Sequence, residues 1–187
     1  MGKEPFVKKL TDLSLFLCLL LFFNGCGYTT HAYLNKTGYK TIYISPFVNK
    51  VDTTSEFSEG RRFVAYFPLL ENTVTNAIVD RYTFDGNLRI TREDEADIVL
   101  KGSLVNYRRD SLRDSSSDMP EEYRVTIFVN ITLTDNKTKK VLWEKDQFAG
   151  DSSYFTTGQF TKSESQAIQD ATKDLARRIV ETTVEAW

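Results

Sequence analysis

The chain has 187 residues, 41% hydrophobic and 27% charged, with a formal net charge of −2. These are the proportions of a globular protein with room for one ordinary core, not of a disordered chain. The near balance of 24 Lys and Arg against 26 Asp and Glu gives no global basic surplus to attract nucleic acid or anionic lipid, which leaves only local basic patches to consider.

The opening stretch places Lys3, Lys8 and Lys9 ahead of an uncharged apolar run from Leu13 to Phe23, which ends in small residues around Cys26. This is the three-part layout of an export signal. The run is about 11 residues, against the roughly 20 that a permanent membrane-crossing helix needs, so a retained transmembrane anchor is the weaker reading. Cys18 lies inside the run and Cys26 at its end, leaving no cysteine from Gly27 to Trp187. No disulfide is therefore available to the body of an exported protein, and packing must hold it.

Phe23-Asn24-Gly25-Cys26 resembles the lipobox of bacterial lipoproteins, in which the cysteine receives a diacylglycerol and becomes the new N-terminus. Gly25 fits that pattern, whereas Phe23 and Asn24 depart from its commonest residues. The alternative is a plain signal-peptidase product with a free thiol. Each buried methylene contributes about 0.8 kcal/mol and a single chain binds only marginally, so several chains would hold the protein essentially permanently. Residues 1–25 contain Lys3, Lys8, Lys9, Glu4 and Asp12, and their removal would take the net charge to −3. Gly27 after the cysteine resembles lipoproteins sorted onward to the outer membrane. The expected organisation is a signal peptide over 1–25, a lipidated N-terminus and Thr-, Asn- and Gly-containing tether over 26–40, and one domain over 41–187.

Within the domain, Thr41 to Phe47 is β-branched and aromatic and predicts a strand ending near Pro46. Leu70, Val74, Ala77 and Ile78 follow helical spacing, with Pro68 suited to a first turn, which predicts a helix over 68–82. Asp85-Gly86-Asn87 is turn chemistry. Leu88 to Thr91 reads as a short strand and Asp97 to Arg109 as a long one, with Gly102 a candidate bulge. Asp110 to Glu122 reads as a charged, serine-rich loop. From Tyr123 to Leu133 apolar residues alternate with polar ones, broken only by Phe128, the mark of a strand with one face covered. Asp135 to Lys140 is a hairpin connection and Val141 to Phe148 the returning strand. Ser163-Glu-Ser-Gln166 is a capping box, followed by Ile168, Ala171, Leu175 and Ile179 on one helical stripe. The expected fold is α+β, a two-layer sandwich of two helices on one face of a mostly antiparallel sheet of about four strands.

Chemistry for catalysis is sparse. The single histidine, His31, falls in the tether, and Cys26 is the only cysteine after the signal, so nucleophile triads and zinc sites lack parts. Glu93-Asp94-Glu95 and Asp97 read as a solvated turn entering a strand. No glycine loop for phosphate occurs. The reading is a protein with no catalytic residues, metal or cofactor. Two basic clusters stand beside strand ends, Arg108, Arg109 and Arg113 at the mouth of the long loop and Lys137, Lys139 and Lys140 in the hairpin. Either is a candidate contact for phosphate-bearing lipid, Arg as a bidentate clamp and Lys as a point charge. Asp110, Asp114 and Asp135 lie among them, and solvated loop charges are the plainer explanation.

Taken together, Cys26-Gly27-Tyr28, Pro68 to Ile78, Ala96 to Gly102 followed by Tyr107, the strand pair from Tyr123-Arg124-Val125 through Leu142-Trp143-Glu144, and the closing helix resemble in order and pattern the LPS-assembly lipoprotein family, LptE. The resemblance implies a non-enzymatic lipoprotein that carries an acyl group such as palmitate, stands on the periplasmic side of the outer membrane, and plugs an LptD-type β-barrel. It would assist barrel assembly and the passage of lipopolysaccharide to the outer leaflet. The rival is a lipoprotein of similar α+β build that activates a periplasmic peptidoglycan synthase.

Overall fold

A computed structural model describes residues 38–51, 67–114 and 120–185, all within the unit that begins at His31. The expected signal segment, Cys26, most of the expected tether and residues 115–119 of the expected loop lie outside the described residues. The elements in order are β1 (Thr41–Ile44), β2 (Val48–Asn49), α1 (Leu70–Asp85), β3 (Arg89–Ile90), a short 3-10 turn (Glu93–Glu95), β4 (Ile98–Asp114), β5 (Pro120–Asp135), β6 (Val141–Phe155) and α2 (Glu164–Glu185).

The α+β class and the two helices are as expected, but the sheet is not. Among the described residues it has six strands in the order β3-β1-β4-β5-β6, with β2 also on β4. β1 pairs in parallel with β3 and β4, and β2 in parallel with β4, while β4-β5-β6 is antiparallel. The sheet is mixed because α1 lies between the β1-β2 segment and its pairing partners, and such a crossover returns the chain in the same direction. The first expected strand is broken into β1 and β2 around Pro46. Bonds to β4 flank the break, the Ser45 N–H donating to the Leu100 carbonyl at 2.9 Å before it and the Lys50 N–H to the Leu104 carbonyl at 2.8 Å after it.

Gly102 is not a bulge. It pairs regularly with Ile131, and the register shifts of β4 come later, between Leu104 and Asn106 and around Arg113. Its lack of a side chain serves packing, because a Cβ there would overlap the buried ring of Phe47. The expected loop over 110–122 is also largely strand. Asp110 faces Arg124 and Arg113 faces Glu122 across the β4-β5 ladder, and opposite charges directly across antiparallel strands favour pairing. β6 likewise runs to Phe155, seven residues past its expected end.

Helix α1 starts at Leu70, after Pro68, because Leu69 takes a left-handed conformation with φ 61° that cannot continue a helix. It ends at Asp85, where Gly86 (φ 73°) donates its N–H to the Tyr82 carbonyl at 3.0 Å. Leu70, Val74, Ile78 and Tyr82 form its buried stripe. Helix α2 has the expected capping box: the Gln166 N–H donates to Ser163 Oγ at 3.2 Å and the Ser163 N–H to Gln166 Oε1 at 3.0 Å. Its buried stripe of Ala167, Ile168, Ala171, Leu175, Ile179 and Val180 meets the inner face of β5, where Val125, Ile127, Val129, Ile131 and Leu133 are all buried. At Gly150 of β6 the α2 backbone comes so close that a Cβ would stand 2.5 Å from the Leu175 nitrogen.

The start of β1 is fixed by one carboxylate. Asp97 Oδ2 accepts the Lys40 N–H (3.0 Å), the Thr41 N–H (3.1 Å) and the Thr41 hydroxyl (2.9 Å). The Lys40 N–H, against the opposing effect of burial, and then Thr41 and Lys137 hold the Asp97 carboxyl below its ordinary value of 3.8. Next to it, Asp135 accepts the Thr138 N–H at 2.7 Å and the Tyr39 hydroxyl at 2.7 Å, and these bonds bring its pKa down to about 2.

Two outcomes are expected. Gly150→Ala should destabilise the domain by about 1–3 kcal/mol, since helix backbone cannot yield as a side-chain tip can, and urea unfolding reads this as a lowered midpoint. Asp97→Asn should cost about 1–2 kcal/mol at neutral pH through weakened charge-assisted bonds. Asp97 is harder to protonate folded than unfolded, so its stabilisation is present above its ordinary value of 3.8 and is lost as pH falls below it. The midpoint gap between wild type and Asp97→Asn should accordingly stay constant from neutral pH to about 5 and narrow on further acidification. A gap that is the same at low and neutral pH would show that the carboxylate charge does not stabilise β1.

Candidate functional site

The two basic clusters stand at opposite ends of the sheet. The register pairs Ile98 with Asp135 at one end of β4 and Arg113 with Glu122 at the other. At about 3.3 Å per residue, Arg109 lies roughly 35–40 Å along the strand from the lysine hairpin.

The arginines do not form one patch. Because β4 continues past them, neighbouring residues face opposite sides. Arg108 is on the open face, with its guanidinium 5.4 Å from the Phe128 ring centre and 2.6 Å from Asp110. Arg109 turns towards α2, where Nη1 donates to Glu164 Oε2 at 2.7 Å. Its guanidinium also lies 4.9 Å from the centre of the Tyr123 ring, which stacks on Tyr154 at 5.7 Å. Tyr107 completes the group by donating its hydroxyl to Glu164 Oε1 at 2.8 Å. Burial, followed by the Glu164 acceptor, pushes the Tyr107 phenol well above its ordinary range. Burial opposes the charge of Arg109, but Glu164 outweighs it and raises the guanidinium further. Arg109 is thus held by protein groups, while Arg113 is exposed at the far end.

The lysines occupy a tight connection. Lys139 adopts φ 57° and donates from Nζ to Asn136 Oδ1 at 2.7 Å. Lys137 reaches Asp97 at 3.8 Å with its side chain 83% exposed. Lys140 is exposed. Asn136 ties the hairpin to the acidic turn, donating from Nδ2 to the carbonyls of Glu93 (2.6 Å) and Ala96 (2.9 Å). A shallow depression lies between turn and hairpin, bordered by Glu93, Asp94, Glu95 and Asp97 on one side and Lys137 and Lys139 on the other. The lysine ammonium groups therefore share their surface with carboxylates.

Between the ends runs the open sheet face. Lys101, Arg108 and Arg124 are exposed, and Phe128, Asn130 and Thr132 are partly so. Spacing missed the Glu164 cluster and the Asp97 fixture, because each joins residues more than 50 positions apart. Among the described residues no group of acidic, His or Cys side chains is arranged to hold a metal ion, and no helix is long and apolar enough to cross a membrane. Cys26 lies outside the described residues.

A solved structure shares this fold. A Xanthomonas campestris protein of the DUF330 family aligns with a TM-score of 0.53 at 13% identity, over 78% of this chain and 84% of its own. The rare lipoprotein B from Shewanella oneidensis aligns with a TM-score of 0.44 at 14% identity, over 77% and 95%. A minor lipoprotein from Acinetobacter baumannii gives 0.44 at 12%, over 80% and 95%. A search of curated protein sequences finds no match. The model of one sequence family, LptE, described as lipopolysaccharide-assembly, matches residues 39–183. That match takes in every element from β1 to all but the last two residues of α2, and the chain belongs to the LptE lipopolysaccharide-assembly family.

Proposed function

We propose that this protein is a lipid-anchored, non-enzymatic partner of an LptD-type outer-membrane β-barrel, which it plugs and helps to assemble while lipopolysaccharide passes to the outer leaflet. The observation that carries this reading is the family match over 39–183. Two features of the molecule suit it. The open sheet face presents Lys101, Arg108, Arg124, Asn130 and Thr132, a hydrophilic surface able to lie against a wetted barrel interior. The other face is closed by two helices over a continuous apolar core, so the domain folds without needing the barrel to cover that side.

Processing before Cys26, with acylation of that cysteine, supplies the anchor and puts the protein on the periplasmic side of the outer membrane. Residues 26–40 then act as the tether and 41–187 as the working domain. Arg113, Lys137, Lys139 and Lys140 are the candidate contacts for lipopolysaccharide phosphate among the basic residues. Arg108 and Arg109 join them only if the groups that hold them, Asp110 and Glu164, are outcompeted.

Affinity purification from detergent-solubilised outer membrane should recover a large β-barrel. Recovery of a penicillin-binding protein in its place would favour the synthase-activator reading. Charge reversal of Lys137, Lys139 and Lys140 together should weaken lipopolysaccharide binding and flatten its salt dependence, as measured by titration at several ionic strengths. Unchanged affinity across that range would remove the hairpin from the site.

A further inference from the structure

One end of the sandwich carries features that the barrel-plug reading leaves unused. The described chain begins there, at Gly38 to Lys40. The Lys40 carbonyl accepts the Arg89 N–H at 2.9 Å, and the Tyr39 hydroxyl reaches Asp135 beside the lysine hairpin. Helix α1 ends at the same place, four residues before Arg89, and its last turn exposes Phe84. This ring is 82% exposed and stands off the buried stripe of Leu70, Val74, Ile78 and Tyr82. The Arg81 guanidinium lies 5.5 Å from its centre. An exposed phenylalanine thus stands with Arg81 beside it at the end of the sandwich where the described residues begin, on a surface that also holds Asp80, Lys173 and Arg177.

Resting on the lipid anchor at Cys26 argued above, we infer that this end docks on the membrane holding the anchor, with Phe84 in the interfacial layer and Arg81, Lys40, Arg89 and the hairpin lysines at headgroup level. The length of chain outside the described residues supports this occupant. Twelve peptide steps separate Cys26 from Gly38, so the junction stays within about 40 Å of the bilayer even with the tether fully extended. Tethering at that range makes a second contact intramolecular, at an effective concentration on the order of millimolar, so a contact too weak to recruit a free protein still sets its orientation.

Charge alone does not define this surface, since Glu93 and Asp94 are exposed nearby. Other carboxylates at this end have partners within the chain, Asp97 and Asp135 in backbone N–H groups, Asp85 in the Asn87 amide at 2.7 Å and Glu95 in Arg92 at 2.8 Å, whereas Asp80 is exposed and borders the same depression as Phe84. That leaves the aromatic ring as the specific element, with the Arg81 guanidinium as the cation beside it. Such a pairing of apolar body with flanking positive heads suits a bilayer interface.

The test uses the mature, lipidated full chain reconstituted into phosphatidylethanolamine–phosphatidylglycerol vesicles. With Cys18 removed in the signal and the Cys26 sulfur in a thioether, Phe84→Cys provides a single thiol for a nitrobenzoxadiazole label. Leu112→Cys, at a side chain 43% exposed near the far end of β4, provides the reference. The label at 84 should shift to the blue, and acyl-brominated lipids should quench it roughly threefold or more over the label at 112, as expected for a group buried about 5–10 Å into the interface. Equal quenching at the two positions would overturn the docking, as would quenching at 84 that develops only after a barrel partner is added, which would assign Phe84 to a protein contact. The anchor is tested separately: wild-type protein that takes up label at Cys26, or that fails to float with the vesicles, would defeat the lipid reading itself. Phe84 lies outside the core, so the labelled variant should unfold at the same urea midpoint as wild type.

Discussion

The fold depends on β4 being paired along both of its edges. From Ile98 to Leu104 it binds β1 and β2 in parallel on one side and β5 in antiparallel on the other. Val99, Leu100 and Leu104 are buried there, so each backbone amide and carbonyl needs a protein partner. Gly102 is part of the same requirement. The Phe47 ring must lie against β4 to close the core between β1 and β2, and glycine leaves room for it. The Phe47 N–H, facing away from that ladder, donates to Thr75 Oγ1 of α1 at 3.0 Å. The break at Pro46 is in this way bonded on both sides, and α1 is joined to the parallel edge.

Helix α2 is secured at each end by a tyrosine hydroxyl. Near its start Tyr107 donates to Glu164, and near its finish the fully buried Tyr82 donates to Thr183 Oγ1 at 2.7 Å. Burial, relieved in part by the Thr183 bond, pushes the Tyr82 phenol far above its ordinary range, so it remains a neutral donor. A buried hydroxyl without a partner would forfeit about 1–3 kcal/mol, and both bonds thus penalise sliding of α2 along the sheet. The close approach at Gly150 depends on that fixed register.

The sequence made the antiparallel half of the fold legible and the parallel half obscure, for a physical reason. β5 alternates because one face is buried along its length, and α2 carries its own start signal in Ser163 and Gln166. Both are local properties. The two-residue strands β2 and β3 hold no periodicity of their own, and they exist because β4 and β1 offer them partners. The stretch from Asp110 to Glu122 has the composition of a loop, whereas the pairing of Asp110 with Arg124 and of Arg113 with Glu122 is a relation between strands. The basic residues could be found by counting, but their grouping required the end of β4. Once the strand runs through Arg108 and Arg109, alternation places the two on opposite faces, and only one remains on the open surface.

This placement alters what the arginine cluster can contribute. Arg109 sits among Glu164, Tyr123 and Tyr154, with its side chain 28% exposed, and a ligand phosphate would have to replace a carboxylate already in bonding contact. Breaking that contact would leave Glu164 with its Tyr107 bond but without its counter-charge, a cost paired with loss of the clamp at the start of α2. Arg113 is exposed at the far end, opposite Glu122 in the register, and the lysine hairpin has exposed side chains at the other. The two ends of the sandwich therefore differ chemically in one respect: the far end couples Arg109 to the fold, while the hairpin end keeps Lys137, Lys139 and Lys140 on its surface. An anionic group would meet the hairpin lysines at less cost than Arg109, because no internal bond as strong as that of Arg109 and Glu164 has to be surrendered there.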